Sequence, residues 1–145
     1  MIGALCLPLC LPAQQSRVTI PPPEQITAKR GTTITHSLKL EIQPGYHINT
    51  NHPKDEFLIP LSVTWSQGSL EPKLISYPPG EEIQVGKDMA RVFTNQVNVK
   101  TEFAVSSNAA PGPALMTGKV HYQACNNQMC FRPATVEVRL PVLIQ

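Results

Sequence analysis

Charge is sparse along this chain of 145 residues: 12 Lys and Arg stand against 10 Asp and Glu, 15% of the residues, for a formal net charge of +2. The basic residues are scattered rather than clustered, so neither a nucleic-acid footprint nor a membrane-surface patch is expected. Long runs of Ala, Glu, Lys and Leu at helical period are missing, which argues against a helical bundle. There is no glycine-rich phosphate loop, no nucleophile elbow and no paired-histidine motif of the metalloprotease kind. Nucleotide-dependent and hydrolytic chemistries are set aside on that ground. The apolar amino-terminal run is well short of the roughly 20 residues a membrane-spanning helix needs.

The chain is instead rich in turn formers, 15 Pro and 8 Gly, which separate short apolar alternations. Its length suits one core and is too small for two ordinary domains. Ile34, His36, Leu38, Leu40 and Ile42 alternate with Thr33, Thr35, Ser37, Lys39 and Glu41, the period of a half-buried strand. His36 falls on the apolar side and is read as a packed histidine. Further strands are expected at Leu61 to Trp65 and Leu70 to Ser76, taken as a pair. Others are expected at Arg91 to Thr101, Glu102 to Val105, Ala114 to Ala124 and Ala134 to Val142, with a turn over 107–113. Roughly seven to nine short strands joined by turns predict an all-β antiparallel sandwich.

Residues 1–13 carry no charge and read as the apolar part of a secretory signal cleaved near Ala13-Gln14. Two prolines disfavour a buried first strand there, and Leu5 and Leu9 stand before Cys6 and Cys10 where lipid attachment usually wants a small residue. Loss of the signal would leave Cys125 and Cys130 as the one pair, in an oxidising compartment where a disulfide forms and persists. Residues 14–29, with Pro21-Pro22-Pro23, are expected to form an extended tether, since consecutive prolines favour polyproline geometry and cannot join a central strand. The folded domain is expected over 30–145.

The stretch that carries chemistry is His121-Tyr122-Gln123-Ala124-Cys125-Asn126-Asn127-Gln128-Met129-Cys130-Phe131-Arg132-Pro133. Its cysteines lie between two strand-like runs, so they should occupy a tight turn at an exposed edge. A disulfide over so short a loop removes little chain entropy, roughly 2 kcal/mol, and is a weak staple. Exposed or strained disulfides are the labile ones, so the spacing suits exchange at least as well as structure. Metal chemistry is the rival reading, because His121, Cys125, Met129 and Cys130 are soft donors that would suit Cu(I). Strand alternation sets His121 out of phase with the rest, and no metal or other cofactor is expected.

Tyr122-Gln123-Ala124-Cys125, a short polar spacer, then Cys130-Phe131-Arg132-Pro133 resembles the amino-terminal periplasmic domain of the thiol reductase DsbD. The similarity extends upstream to Gly45-Tyr46, to the segment from Pro79 to Lys87 and to Arg91 to Phe93, about residues 30 to 142 in all. The resemblance implies an immunoglobulin-like β-sandwich with the cysteines at one end, in a periplasmic or secreted, monomeric electron-transfer module of protein-disulfide reductase type. It implies that Cys125 and Cys130 pass two electrons, with Cys130 forming the mixed disulfide to a thioredoxin-fold oxidoreductase and Cys125 resolving it. A separate membrane thiol reductase is the expected electron donor. Apolar contact with the partner is expected from Tyr122, Phe131 and Pro133.

The same resemblance places Tyr46, His47 and Asn49 beside the cysteines. His47 would either stabilise a thiolate or bond a loop carbonyl. The family's cap loop carries an Asp-Glu-Phe triplet, which Asp55-Glu56-Phe57 matches in composition. By order in the chain the cap belongs instead near 80–87, where Glu82, Ile83 and Val85 would serve, with Glu81 and Glu82 opposing thiolate formation if near the sulfurs. The alternative function is an immunoglobulin-like binding or structural domain whose disulfide is not redox-active.

Overall fold

The computed structural model describes residues 17–145, so the expected signal segment with Cys6 and Cys10 lies outside the described residues. The chain folds as an all-β, immunoglobulin-like sandwich. Its first sheet joins β1 (Val18–Thr19), β3 (Thr33–Ile42), β9 (Gln96–Val105) and β6 (Leu70–Ser76) in that order. The second joins β2 (Ile26–Ala28), β12 (Ala134–Ile144), β10 (Gly112–Tyr122) and β5 (Ser62–Trp65). A third, smaller sheet joins β11 (Ala124–Cys125), β4 (His47–Asn49), β8 (Asp88–Phe93) and β7 (Glu81–Val85). All pairings are antiparallel except β2 with β12.

The period-two pattern of β3 and β9 becomes the core directly. Leu38, Leu40, Val97 and Val99 turn inward and are at most 2% exposed, while Lys39, Asn98 and Lys100 face solvent. Two apolar clusters result, and Trp65 packs against both. Its ring meets Phe103 edge-on at 5.3 Å, and its indole N–H donates to Thr101 Oγ1 at 3.0 Å, so the polar handle of a half-buried ring is satisfied. His36 is buried as expected, with its ring perpendicular to that of Trp65.

Four expectations change. Residues 14–29 do not form a plain tether over their described part, because Val18 and Ala28 are buried and β1 and β2 pair with β3 and β12. The prolines between them sit in a connection from one edge strand to another, which is where missing N–H groups do least harm. The strands at 62–65 and 70–76 are not a pair: β5 joins β10 and β6 joins β9, in different sheets. The run from Arg91 to Thr101 breaks at Asn95, whose φ of 60° ends β8 and redirects the chain into β9, which then continues unbroken to Val105. Residues 81–85 form a hairpin strand rather than a loop. Alternation alone does not reveal which strand pairs with which, nor a single left-handed residue inside an apolar run.

Candidate functional site

The third sheet builds the site. Pro44 and Gly45 turn the chain out of β3; Gly45 has a φ of 86°, a left-handed conformation that glycine adopts without strain, and Tyr46 N–H closes the turn on Gln43 O at 3.1 Å. The short β4 that follows is central, pairing β11 on one side (Cys125 opposite His47) and β8 on the other (Asn49 opposite Val92). Everything that leaves β4, β8 and β11 at this end therefore converges.

Cys125 and Cys130 are joined by a disulfide, their Cα atoms 4.0 Å apart, as directly opposed residues of a tight hairpin. The hairpin is closed by bonds that do not involve sulfur. Asn126 N–H donates to Met129 O at 2.9 Å and Phe131 N–H to Ala124 O at 2.8 Å, bracketing the cysteines as a non-hydrogen-bonded pair. Asn126 Oδ1 accepts from the N–H groups of Gln128 and Met129, both at 2.8 Å, holding the loop from inside. The two sulfur-bearing residues differ sharply in access, Cys125 being 2% exposed and Cys130 open to solvent.

A cleft of about 710 Å³ opens over the disulfide. Its walls come from β4 (His47, Asn49), the loop after it (Lys54 to Leu58), the tip of the β7–β8 hairpin (Val85, Asp88 to Ala90) and the cysteine hairpin itself. Residues of both segments considered for the cap, Lys54 to Leu58 and Val85, thus line the cleft that holds the disulfide. The loop after β4 reaches the site because β4 itself does. Phe57 projects from that loop 84% exposed, and Lys54 Nζ ties the loop to Glu82 Oε1 at 2.8 Å. Glu82 does not line the cleft and also contacts Arg91 at 3.5 Å, so its charge serves to join loop to hairpin rather than to oppose a thiolate. Lys54, first by hydrogen bond and then by charge, holds the Glu82 carboxyl below its ordinary range. Val85 is in the wall; Ile83 is half-buried and is not.

Strand alternation sorts the remaining expected residues. His47 shares the cleft with Cys125, whereas Tyr46 and Phe131 lie one residue out of phase and meet at a tilt of 58°, centroids 5.9 Å apart, outside the cleft lining. The Arg17 guanidinium covers Phe131 at 3.6 Å, a cation–π contact that braces the cysteine hairpin and that nothing in the local sequence advertises. Tyr122 is 6% exposed in the core and offers no partner surface. Pro133 is exposed but not in the cleft. The exposed apolar side chains around the sulfurs are Phe57, Met89 and Met129 instead. Asn49 is buried, donating to Ile59 O at 3.0 Å and to Gln123 Oε1 at 3.3 Å. His121 bonds Thr135 Oγ1 at 2.8 Å and stays away from the sulfurs.

Burial holds the pKa of both His36 and His47 below its usual value. The unfolded chain, with histidine near 6.5, takes up protons that the native state refuses, so stability is full above about pH 6.5 and declines as pH falls through it. Thermal melts of the oxidised domain should therefore show a constant midpoint from about pH 8 to 7 and a falling one towards pH 5, with His36→Gln flattening the profile. A flat profile for the parent protein would contradict the burial assigned to these rings.

The family described as "Thiol:disulfide interchange protein DsbD, N-terminal" matches residues 17–141. Among solved structures, the amino-terminal periplasmic domain of ScsB from Proteus mirabilis is similar with a TM-score of 0.57 at 14% identity, over 85% of this chain. This chain spans 44% of that protein's length. The reduced amino-terminal domain of Neisseria meningitidis DsbD is similar with a TM-score of 0.48 at 18% identity, over 72% of this chain and 74% of that one. No curated protein matches in sequence. A match that begins at the residue bracing the cysteine hairpin and runs into β12, on a sandwich with its cysteine pair at one end, places the chain in the DsbD amino-terminal domain family.

Proposed function

We propose that this domain is a periplasmic or secreted thiol-disulfide exchange module. The observation that carries the reading is the asymmetry of the pair: one exposed sulfur-bearing residue, Cys130, backed by a buried one, Cys125, at the floor of an open cleft. Exchange requires in-line approach of an outside thiolate to one sulfur while the other leaves as a thiolate. A donor thiolate attacks Cys130 Sγ, the Cys125–Cys130 bond breaks, and Cys125 Sγ departs with the electron pair. The donor's second thiolate then attacks its own mixed-disulfide sulfur, leaving the domain as a dithiol and the donor oxidised. Delivery to a partner disulfide runs the same steps in reverse, with Cys130 attacking and Cys125 resolving, so two electrons pass in each cycle. The donor in this reading is a separate membrane thiol reductase, the acceptor a thioredoxin-fold oxidoreductase, and the domain works as a monomer.

His47 beside Cys125 would favour the departing thiolate by hydrogen bonding, and Phe57, Met89 and Met129 would supply the apolar rim a partner covers. The test is capture. Cys125→Ser incubated with an oxidised thioredoxin-fold protein should accumulate a dithiothreitol-sensitive mixed disulfide through Cys130, and Cys130→Ser should give none. Equal capture by both variants, or by neither, would reject the assignment.

The hydrogen bonds of the cysteine hairpin speak against the alternative of a purely structural disulfide. A staple over this loop contributes about 2 kcal/mol, and the hairpin is closed without it. Cys125→Ser/Cys130→Ser should accordingly remain folded, with a urea midpoint lowered by no more than that amount implies. Loss of cooperative unfolding in the double variant would favour the structural reading.

A further inference from the structure

The cysteine hairpin is held from outside the cleft by a cation that the exchange steps do not use. Arg17 stands immediately before β1, and its guanidinium lies over the Phe131 ring at 3.6 Å and 5.8 Å from the centroid of Tyr46. Phe131 directly follows Cys130, and its ring meets that of Tyr46 at 5.9 Å. Three segments thus converge on the arm that carries the exposed cysteine. The backbone fixes two of them, since Gln43 N–H donates to Arg17 O at 3.0 Å and Gln43 O accepts from Tyr46 N–H at 3.1 Å. Because β1 pairs with β3, the contact ties the Cys130 arm to the first sheet. The guanidinium forms no ion pair among the described residues, and its buried Nε has no hydrogen-bond partner among them, so the ring face is what holds it. The flat fork of arginine suits a ring face better than the compact ammonium of lysine does.

We propose that Arg17 is a positioning residue for the Cys125–Cys130 couple: through Phe131 it keeps the Cys130 arm against Cys125 once the disulfide is open, and so favours closure. With the disulfide closed, the covalent bond itself pins the arm. With it open, the arm is held by the Phe131 N–H to Ala124 O bond, by the Asn126 turn and by Arg17 on the ring. Slack in that arm lowers the effective concentration of one sulfur at the other. A residue outside the cleft can shift the balance of two states only by acting differently on them, and here the dithiol depends on the brace while the disulfide does not. The inference rests on the exchange reading, in which the pair opens and closes in every cycle.

The experiment equilibrates the reduced domain with glutathione disulfide, quenches with acid and weighs the products by mass spectrometry. The Cys130 thiolate attacks one sulfur of glutathione disulfide and releases a glutathione thiolate. Cys125 then attacks Cys130 Sγ and releases the second, so two electrons and the two thiol protons leave with two molecules of glutathione. Only the second step is intramolecular, and only it feels the brace. Arg17→Ala should lower the equilibrium constant for closure about threefold to tenfold, with a matching rise in the Cys130–glutathione mixed disulfide. Phe131→Leu should cause the same loss, and Arg17→Ala on that background should add little, because the two side chains act as one unit. Arg17→Lys, which keeps the charge and loses the planar fork, should retain part of the constant. Cooperative thermal unfolding of each oxidised variant establishes that it is folded. Two results would overturn the proposal: a folded Arg17→Ala domain with the parent's constant, or losses from Arg17→Ala and Phe131→Leu that add in full. A parent disulfide too stable for glutathione to open would instead fail the exchange reading, and the same comparison of variants then runs in dithiothreitol.

Discussion

In the reduced domain, Cys130 is expected to react with iodoacetamide on the order of tenfold faster than Cys125 or more. The thiolate is the reacting form, and its rate depends on its population and its access. Both cysteines share the local charge environment of the cleft, with His47 against Cys125 and three carboxylates on the walls, so access is what separates them. Cys125 lies in β11, paired to β4 and 2% exposed, whereas Cys130 stands on the outer arm of the hairpin facing solvent. Limited alkylation followed by mass spectrometry of the two peptides measures the ratio. The order bears on the proposed exchange, in which the more accessible sulfur is the one that carries the mixed disulfide. Preferential modification of Cys125 would reverse the two roles.

Gln123→Ala is expected to destabilise the domain by about 2 to 4 kcal/mol, more than loss of the disulfide itself. The Gln123 side chain ties three segments together. Its Oε1 accepts from Asn49 Nδ2 at 3.3 Å and from Ile59 N–H at 3.2 Å, and its Nε2 donates to Phe131 O at 3.3 Å. It thus joins β4, the end of the loop that carries Phe57, and the segment leaving Cys130. These groups are partly buried, and stripping one partner from a buried donor costs its desolvation rather than only the net worth of the bond. Denaturant unfolding gives the magnitude. The same variant should accelerate alkylation of Cys125 in the reduced domain, since the floor of the cleft is released. A change in stability below about 0.5 kcal/mol would show that the segments are held by packing alone.

The all-β class and most of the long strands were legible because the alternation in β3, β9, β10 and β12 is nearly unbroken and each has one buried face. The cysteine turn was legible from its residues. Its surroundings were legible only through the resemblance, which offered His47, Asn49 and the Asp55-Glu56-Phe57 triplet, and the alternation itself gave no sign of Met89. The β7–β8 hairpin that carries Met89 reaches the cleft through a strand of three residues that pairs on both sides, and a strand so short has almost no periodicity to read. Tyr122 and Phe131 were expected at the partner surface by proximity in sequence to the cysteines. The pleat sends alternate side chains to opposite faces, so Phe131 packs against Tyr46 away from the cleft and Tyr122 enters the core. Arg17 lay in a segment read as a tether, and its contact with Phe131 follows from β1 pairing with β3, which local sequence does not encode.

The reduction potential of the Cys125–Cys130 pair tests the central claim most directly. The oxidised domain is equilibrated in graded dithiothreitol or glutathione buffers, free thiols are trapped, and the fraction reduced is fitted. An exchange module should fall between roughly −180 and −270 mV, where disulfides of thioredoxin-type proteins trade electrons with one another. A value below about −300 mV, where structural disulfides lie, would contradict the account and leave a sandwich domain with a stapled loop.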